Sequence, residues 1–451
     1  MTAHAFRKNL SPTELRDWRE KRRLSWERLD PQFRTPRQLL GRQLAIGCVS
    51  LEITQRCNLD CTLCYLSDLS ESIPDPPIEE IKRRADLIVR DWGPNTNVQI
   101  SGGDPTMRKR DELIEIFRYC RSIGLLPALF TNGILAKREL LVDLCAAGMT
   151  DVAFHVDLTQ ERPGYKTELE LNEIRREYIE NVRGLPAAVI FNTTVFAGNV
   201  DEIPDLVRFF RANADVVGMC SFQLGADTGR GVDTRPSPMR LKEMRAIVGQ
   251  AFPHQLSWDS VQIGHPSCHS VVYTAQAGDH SIDLGDDPAL TETMFREFPD
   301  LEMDRTRPIR AAVTTVSAFM RKPKAALQGL RWIGRTVAKN ALPVARNGGK
   351  VHKLSVFIQN FMDADDLDAE RVRNCSFMVA TAEGTMSMCL HNARRNEFLL
   401  MGVERLIKNP VKRGKRREKD AELPAELRGP VAPGPAGLPA AARLDAERAA
   451  P

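Results

Sequence analysis

The chain has 451 residues, 42% hydrophobic and 27% charged, values of an ordinary soluble globular protein of several units that exclude collagen-like, coiled-coil and wholly disordered architectures. Its 63 basic and 59 acidic residues leave a net charge of +4, too small to imply a nucleic-acid partner. Ten cysteines, with no cationic and apolar leader and no apolar run of the roughly 18 residues that span a bilayer, predict a cytoplasmic protein whose clustered thiols bind metal or do chemistry.

Residues 1–46 are rich in Arg, Glu, Gln and Leu and read as a basic helical segment. From 47 to 251, short apolar runs alternate with longer charged segments of helical period. Strands are expected near 48–54, 97–101, 127–131, 151–157, 187–193 and 215–222, and helices near 77–92, 110–123, 136–147, 167–183, 201–212 and 236–251. Repeated βα units of this kind predict an α/β fold, a partial (β/α)6 TIM-like barrel with function at the C-terminal ends of its strands. Residues 252–400 read as a C-terminal α+β extension that covers the barrel mouth. Within it, Arg305 to Lys353 holds twelve Lys or Arg and no Asp or Glu, with apolar residues at helical spacing over 309–320 and 325–342. Such basic amphipathic helices suit an anionic membrane surface, on the inner face of the membrane, or else present a solvated basic face. Residues 401–451, with a basic run from Lys408 to Lys419 and an Ala/Pro-rich end, are expected to be disordered.

The strongest local signal follows the first predicted strand: Cys57-Asn-Leu-Asp-Cys61-Thr-Leu-Cys64-Tyr65. Three thiolates so close together can grip three irons of a [4Fe–4S] cluster and leave the fourth iron open to a substrate or cofactor. Zinc would ordinarily want a fourth Cys or His nearby, and residues 40 to 100 hold neither a His nor a second Cys pair. The C-x3-C-x2-C-aromatic loop at the end of a first barrel strand resembles the radical S-adenosylmethionine superfamily, and the resemblance runs over about residues 48–225. It implies that Cys57, Cys61 and Cys64 hold a [4Fe–4S] cluster, that S-adenosylmethionine chelates the open iron, and that its reductive cleavage gives a 5′-deoxyadenosyl radical that abstracts hydrogen from substrate. An electron donor of the flavodoxin or ferredoxin type is implied as a partner. Tyr65 matches the aromatic position packed against adenine.

Further motifs follow in the family's order. Ser101-Gly102-Gly103-Asp104-Pro105 matches its Gly-Gly-Glu-Pro, with Asp104 in place of Glu, and Thr131-Asn132-Gly133 matches its third-strand end. The resemblance implies that Gly102, Gly103, Asp104, Thr131 and Asn132 help to bind S-adenosylmethionine. Alternation along the fourth strand puts His155 and Asp157 on one side. Asp157 is the candidate for the cofactor, whereas His155 reads equally as a buried, satisfied histidine. Asn192 and Thr194 share a face on the fifth strand and are candidate pocket residues.

A second thiol set comprises Cys268, Cys375 and Cys389; a hairpin over Phe377 to Met388, with Glu383-Gly384 at its turn, would bring the last two near each other. Their pattern is similar to the opening half of the family's auxiliary-cluster motif. With Gly229-Arg230-Gly231, His265-Pro266-x-Cys268 and Cys389-x-His391-Asn392, the chain also resembles the tetraether-lipid-synthase-like subgroup, though it lacks that group's Cys-rich N-terminal region. The likeness implies one auxiliary cluster on these three cysteines, with His265, His391 or no protein group as fourth ligand, and a large, partly apolar substrate such as a lipid. A peptide-modifying enzyme and a non-catalytic metal- or nucleic-acid-binding protein are the alternatives. Cys48, Cys120 and Cys145 read as small buried hydrophobes.

Overall fold

The computed structural model describes residues 10–229, 239–301 and 308–401. Arg230, Gly231, Arg305, Arg307 and all but the first residue of the expected 401–451 tail lie outside the described residues.

The expected βα alternation is present within a few residues of its predicted bounds. Strands β1 (Cys48–Thr54), β2 (Asn97–Gly102), β3 (Leu126–Thr131), β4 (Asp151–His155), β5 (Ala188–Val195) and β6 (Val217–Leu224) lie side by side in parallel. A helix α1 (Pro12–Arg28) precedes them. Helices α2 (Ile78–Trp92), α3 (Arg110–Ser122), α4 (Arg138–Ala147), α5 (Asn172–Val182), α6 (Ile203–Ala212) and α7 (Leu241–Gly249) follow the successive strands. Burial at i, i+4, i+7 and i+11 explains α2, where Ile81, Ala85, Ile88 and Trp92 form the core-facing stripe. Alternation explains the strands: Val49, Leu51 and Ile53 of β1, Val98 and Ile100 of β2, and Val152 and Phe154 of β4 enter the apolar layer under the helices.

The sheet does not end with these six strands. The region after residue 252 adds β7 (His269–Ala277), β8 (His280–Asp283), helix α8 (Pro288–Glu297), the helix pair α9 (Pro308–Met320) and α10 (Pro323–Arg346), and strand β9 (His352–Asn360). It finishes with α11 (Ala369–Arg373), β10 (Phe377–Ala380), β11 (Thr385–Ser387), α12 (Met388–Ala393) and α13 (Arg395–Met401). β9 pairs in parallel with β6, and β10 pairs in parallel with β1. Eight successive strands, β10-β1-β2-β3-β4-β5-β6-β9, are therefore parallel, with antiparallel β11 beyond one end and β7 and β8 beyond the other. Side chains draw the two ends together. Phe377 of β10 lies 4.8 Å from the ring of His269 in β7 and 5.7 Å from Phe357 in β9. His269 Nε2 is 2.6 Å from the Ser376 hydroxyl. The predicted hairpin is β10–β11, with Gly384 between its strands.

The first helix is anchored by part of its basic set, while Arg16, Arg19 and Arg23 stay exposed. Trp18 is buried, Arg22 pairs with Asp300, and Arg28 donates to the carbonyls of Arg373 and Cys375 at 2.7 and 2.8 Å.

Candidate functional site

The concave side of the sheet encloses a cavity of about 440 Å³, within the range of small-molecule sites. Its wall follows from the strand period: where Val49, Leu51 and Ile53 face the helices, Ser50 and Glu52 face inward. Gln99 and Ser101 of β2, His155 of β4, Asn192 and Thr194 of β5, and Ser221 and Gln223 of β6 continue this polar belt. The C-terminal region closes the opposite wall with apolar Val271, Phe357, Phe377 and Val379.

Cys57, Cys61 and Cys64 sit on the loop between β1 and α2, and all three line the cavity with partly exposed side chains. The Thr62 amide donates to the Thr159 carbonyl at 2.8 Å, which pins this loop to the segment after β4. Burial, and then the charges of Asp157, Cys64 and Cys57, push the Cys61 thiol far above its ordinary range. Thiols that repel one another as thiolates need a multiply charged cation to hold them deprotonated. Among the described residues, no three His, Cys, Asp or Glu side chains converge tightly enough to hold a single metal ion. The donor set thus fits an iron–sulfur cluster, which takes each thiolate on a different iron, better than it fits one zinc ion.

Gly102 and Gly103 pass directly under the cysteine loop. A Cβ on Gly102, whose φ is +132°, would lie 1.9 Å from the Thr54 carbonyl oxygen, and one on Gly103 would lie 2.1 Å from that of Arg56. Both obstacles are backbone and cannot swing aside. Gly102→Ala or Gly103→Ala is expected to cost about 2 kcal/mol or more and to displace the cysteine loop, read as a lower urea midpoint and less iron retained after reconstitution.

Tyr65 lines the cavity, and its hydroxyl donates to the Gly102 carbonyl. Burial and the Glu52 charge push its phenol upward. The Arg395 guanidinium lies 4.6 Å from the Tyr65 ring centroid and forms a bidentate pair with Glu52 at 2.8 and 2.9 Å. Arg395 also donates to Asn392 Oδ1 at 2.8 Å, and Glu52, Asn392 and Arg395 all line the cavity. Sequence reading missed Glu52 and Arg395, and named Asn392 only as part of the Cys389-x-His391-Asn392 motif. The signal available for Glu52 was a carboxylate, the one charged residue of the strand Cys48–Thr54.

Thr131, Asn132 and Asn192 also face the cavity, whereas Asp104 and Asp157 are fully buried behind its wall. Asp104 accepts from the Thr106 amide at 2.9 Å, the Thr131 hydroxyl at 2.8 Å and the Asn132 amide at 2.8 Å. Its carboxylate therefore holds the Thr131-Asn132 turn against the cysteine loop, where Asn132 Nδ2 reaches Asn58 Oδ1 at 2.6 Å. The shorter acid thus sets loop geometry from behind the cavity wall. Asp157 likewise accepts from the Thr159 amide at 3.0 Å and the Thr194 amide at 2.7 Å, and lies 2.6 Å from His155 Nε2. Burial alone would lower the His155 pKa, but the Asp157 charge and hydrogen bond outweigh it and raise it. His155 is the member of this pair that faces the cavity.

Cys268 just before β7, Cys375 between α11 and β10, and Cys389 in α12 are all buried and near enough for their charges to interact. Burial and the charges of neighbouring thiols push Cys268 to about 11 and Cys389 to about 12. Arg371 Nε approaches the Cys268 sulfur at 3.4 Å. His265 has both ring nitrogens engaged, by Glu370 at 3.0 Å and by the Ser267 amide at 3.1 Å. His391 is buried, and its pKa falls to about 4 because of burial and the Arg395 charge. Cys48, Cys120 and Cys145 are buried, Cys120 and Cys145 within the apolar core, as expected of packing residues.

Residues 51–210 match the model of the radical SAM superfamily. The chain is 32% identical over 187 residues to the 7,8-dihydro-6-hydroxymethylpterin dimethyltransferase of Methanocaldococcus jannaschii, covering 40% of this chain and 37% of that one. It is 28% identical over 169 residues to the PqqA peptide cyclase of Methylobacterium nodulans, covering 35% and 41%. It is 28% identical over 203 residues to the Fe-coproporphyrin III synthase of Methanosarcina barkeri, covering 44% and 48%. The chain thus spans less than half the length of these relatives, and the residues that match the family model contain the cysteine loop.

Proposed function

We propose that this chain, built on the radical SAM domain of residues 51–210, is a radical S-adenosylmethionine enzyme that abstracts hydrogen from a large, partly apolar substrate, with a lipid as the substrate class. One observation carries the reading: Cys57, Cys61 and Cys64 share a single cavity with Gly102, Gly103, Thr131, Asn132 and the apolar wall of Val271, Phe357, Phe377 and Val379. When bound, a [4Fe–4S] cluster and S-adenosylmethionine would supply the electron and the primary carbon radical. The protein supplies the rest. The glycines let backbone groups approach the cofactor, Tyr65 offers a ring face beside the cysteine loop, and Asn132 and Asn192 offer side-chain amides to its polar groups. Strands β7, β9 and β10 with Arg395 enclose the cavity, which keeps water and stray hydrogen donors from a reactive carbon.

The lipid assignment is supported by that apolar wall together with the tetraether-lipid-synthase-like motifs. Buried Cys268, Cys375 and Cys389 support an auxiliary cluster, with His265, His391 or no protein group as its fourth ligand. Similarity to a PqqA peptide cyclase favours a second reading, a peptide substrate.

Anaerobic reconstitution with iron and sulfide, followed by reduction and addition of S-adenosylmethionine, is expected to yield 5′-deoxyadenosine and about eight irons per chain. About four irons would remove the auxiliary cluster. Incubation with a perdeuterated lipid extract is expected to place deuterium in the 5′-deoxyadenosine. Deuterium arriving only from labelled peptides would replace the lipid reading with the peptide one.

A further inference from the structure

We propose that the α9–α10 hairpin docks this protein on an anionic phospholipid surface. The surface lies outside the cavity, so the inference goes beyond the catalytic reading. The 24-residue helix α10, about 36 Å long, packs with the wrong face for a solvated surface helix. Its inward side is small and polar: Ala325, Gly329 and Asn340 are the buried residues. Phe319 of α9 lies over Gly329, where a Cβ would meet the ring at 3.0 Å. Asn340 is 2.7 Å from His280 Nε2 of β8, and Trp332 Nε1 donates to Asp286 at 2.7 Å. The inward face is therefore held by close approach and hydrogen bonds, without the large apolar side chains.

Those side chains point outward. Leu327, Leu330, Ile333 and Val337 recur at spacings of three, three and four residues and are 51, 62, 48 and 58% exposed. Val316 and Met320 of α9 add 57 and 68%. Contiguous apolar surface of this kind marks a docking face, because each group left in water forfeits its burial free energy.

Charge selects the occupant. Lys324, Arg331, Arg335, Lys339 and Arg346 recur at spacings of seven, four, four and seven, which places them along one edge of the apolar stripe. No Asp or Glu occurs between Pro308 and Lys353. Arg335 meets Asp286 and Asp287 at 3.6 and 3.4 Å, and Lys322 meets Glu297 at 2.7 Å, all carboxylates of the underlying segment around α8. Arg335 is thus paired at this edge, and Lys324, Arg331, Lys339 and Arg346 leave the rest of it basic. Two copies stacked through this stripe would bring like charges together, whereas lipid phosphates complement them and the acyl boundary accepts the apolar stripe. Among the described residues no helix is long and apolar enough to cross a membrane, so the hairpin lies along the surface.

Co-sedimentation of the full-length, reconstituted protein with vesicles tests this. Wild type is expected to sediment with mixed phosphatidylglycerol and phosphatidylcholine vesicles, to release on added salt, and to ignore pure phosphatidylcholine. Leu330→Glu with Val337→Glu should abolish binding, and Arg331→Gln with Lys339→Gln should weaken it about thirtyfold. Unchanged circular dichroism and 5′-deoxyadenosine formation would show that these surface variants fold. Equal binding to both vesicle types, or unaltered binding by either variant, overturns the proposal. So does self-association that Leu330→Glu abolishes in a protein that ignores vesicles, since the face would then belong to a second copy.

Discussion

Alanine in place of Cys57, Cys61 or Cys64 is expected to reduce iron to about half of the wild-type content and to bring 5′-deoxyadenosine formation below detection. The fold should survive. None of the three belongs to the buried apolar core, and all three side chains are partly open to the cavity. Circular dichroism and the urea midpoint should therefore match wild type, which separates loss of the cluster from loss of the protein. Cys268→Ala, Cys375→Ala and Cys389→Ala should differ in kind: they too lose about half of the iron, yet they retain S-adenosylmethionine binding, because their thiols are not on the cavity wall. A variant of the first set that keeps full iron and activity would remove the cysteine loop from the chemistry.

Arg395→Ala is expected to be the most destabilising single polar change near the site, by about 3–5 kcal/mol, since it strands a buried carboxylate. Arg395 is 2% exposed and Glu52 is 5% exposed, and Gln55 supplies only one further hydrogen bond, at 2.8 Å. Burial alone would raise the Glu52 pKa, but the charges of Arg395 and His391 and the hydrogen bonds bring it down to about 2 from an ordinary 4.5. A depressed pKa in the folded state means that the stabilisation is complete above pH 4.5 and is lost as pH falls toward 2. Over that span the wild type should lose about 3 kcal/mol through this group. Urea unfolding at stepped pH should show this acid limb in wild type and a flatter one in Arg395→Ala. The double variant Glu52→Leu with Arg395→Met should recover much of the single variant's loss, because an apolar pair carries no desolvation cost. Equal stability of the single and double variants would mean that the buried charge is not the cause.

Much of the fold was legible from the chain because its information is local. Strand β1 is found over the predicted Cys48–Thr54, and α2 begins one residue inside its predicted start. Periods of two and 3.6 residues set which face of each element is apolar, and those faces can only be buried against each other. The cysteine loop was legible for a similar reason, since its three thiols need no partner from elsewhere in the chain.

The parts that were not legible depend on distant pairing. Glu52 and Arg395 are 343 residues apart, and no local pattern says that a guanidinium from the last described helix will enter the barrel beside Tyr65. Asp104 and Asp157 had the right residue types at the right strand ends, yet their short side chains are consumed by neighbouring amides and hydroxyls before they reach the cavity. By itself, the sequence determined the six-strand core and the three-thiol loop, because backbone period and residue spacing suffice for both. Tertiary structure alone decided that β9 and β10 extend the parallel run to eight strands, which residues look inward, and which face of α10 meets solvent. Each of those outcomes is a competition among long-range contacts, whose closure entropy is spread over hundreds of residues and leaves no mark on any short stretch of chain.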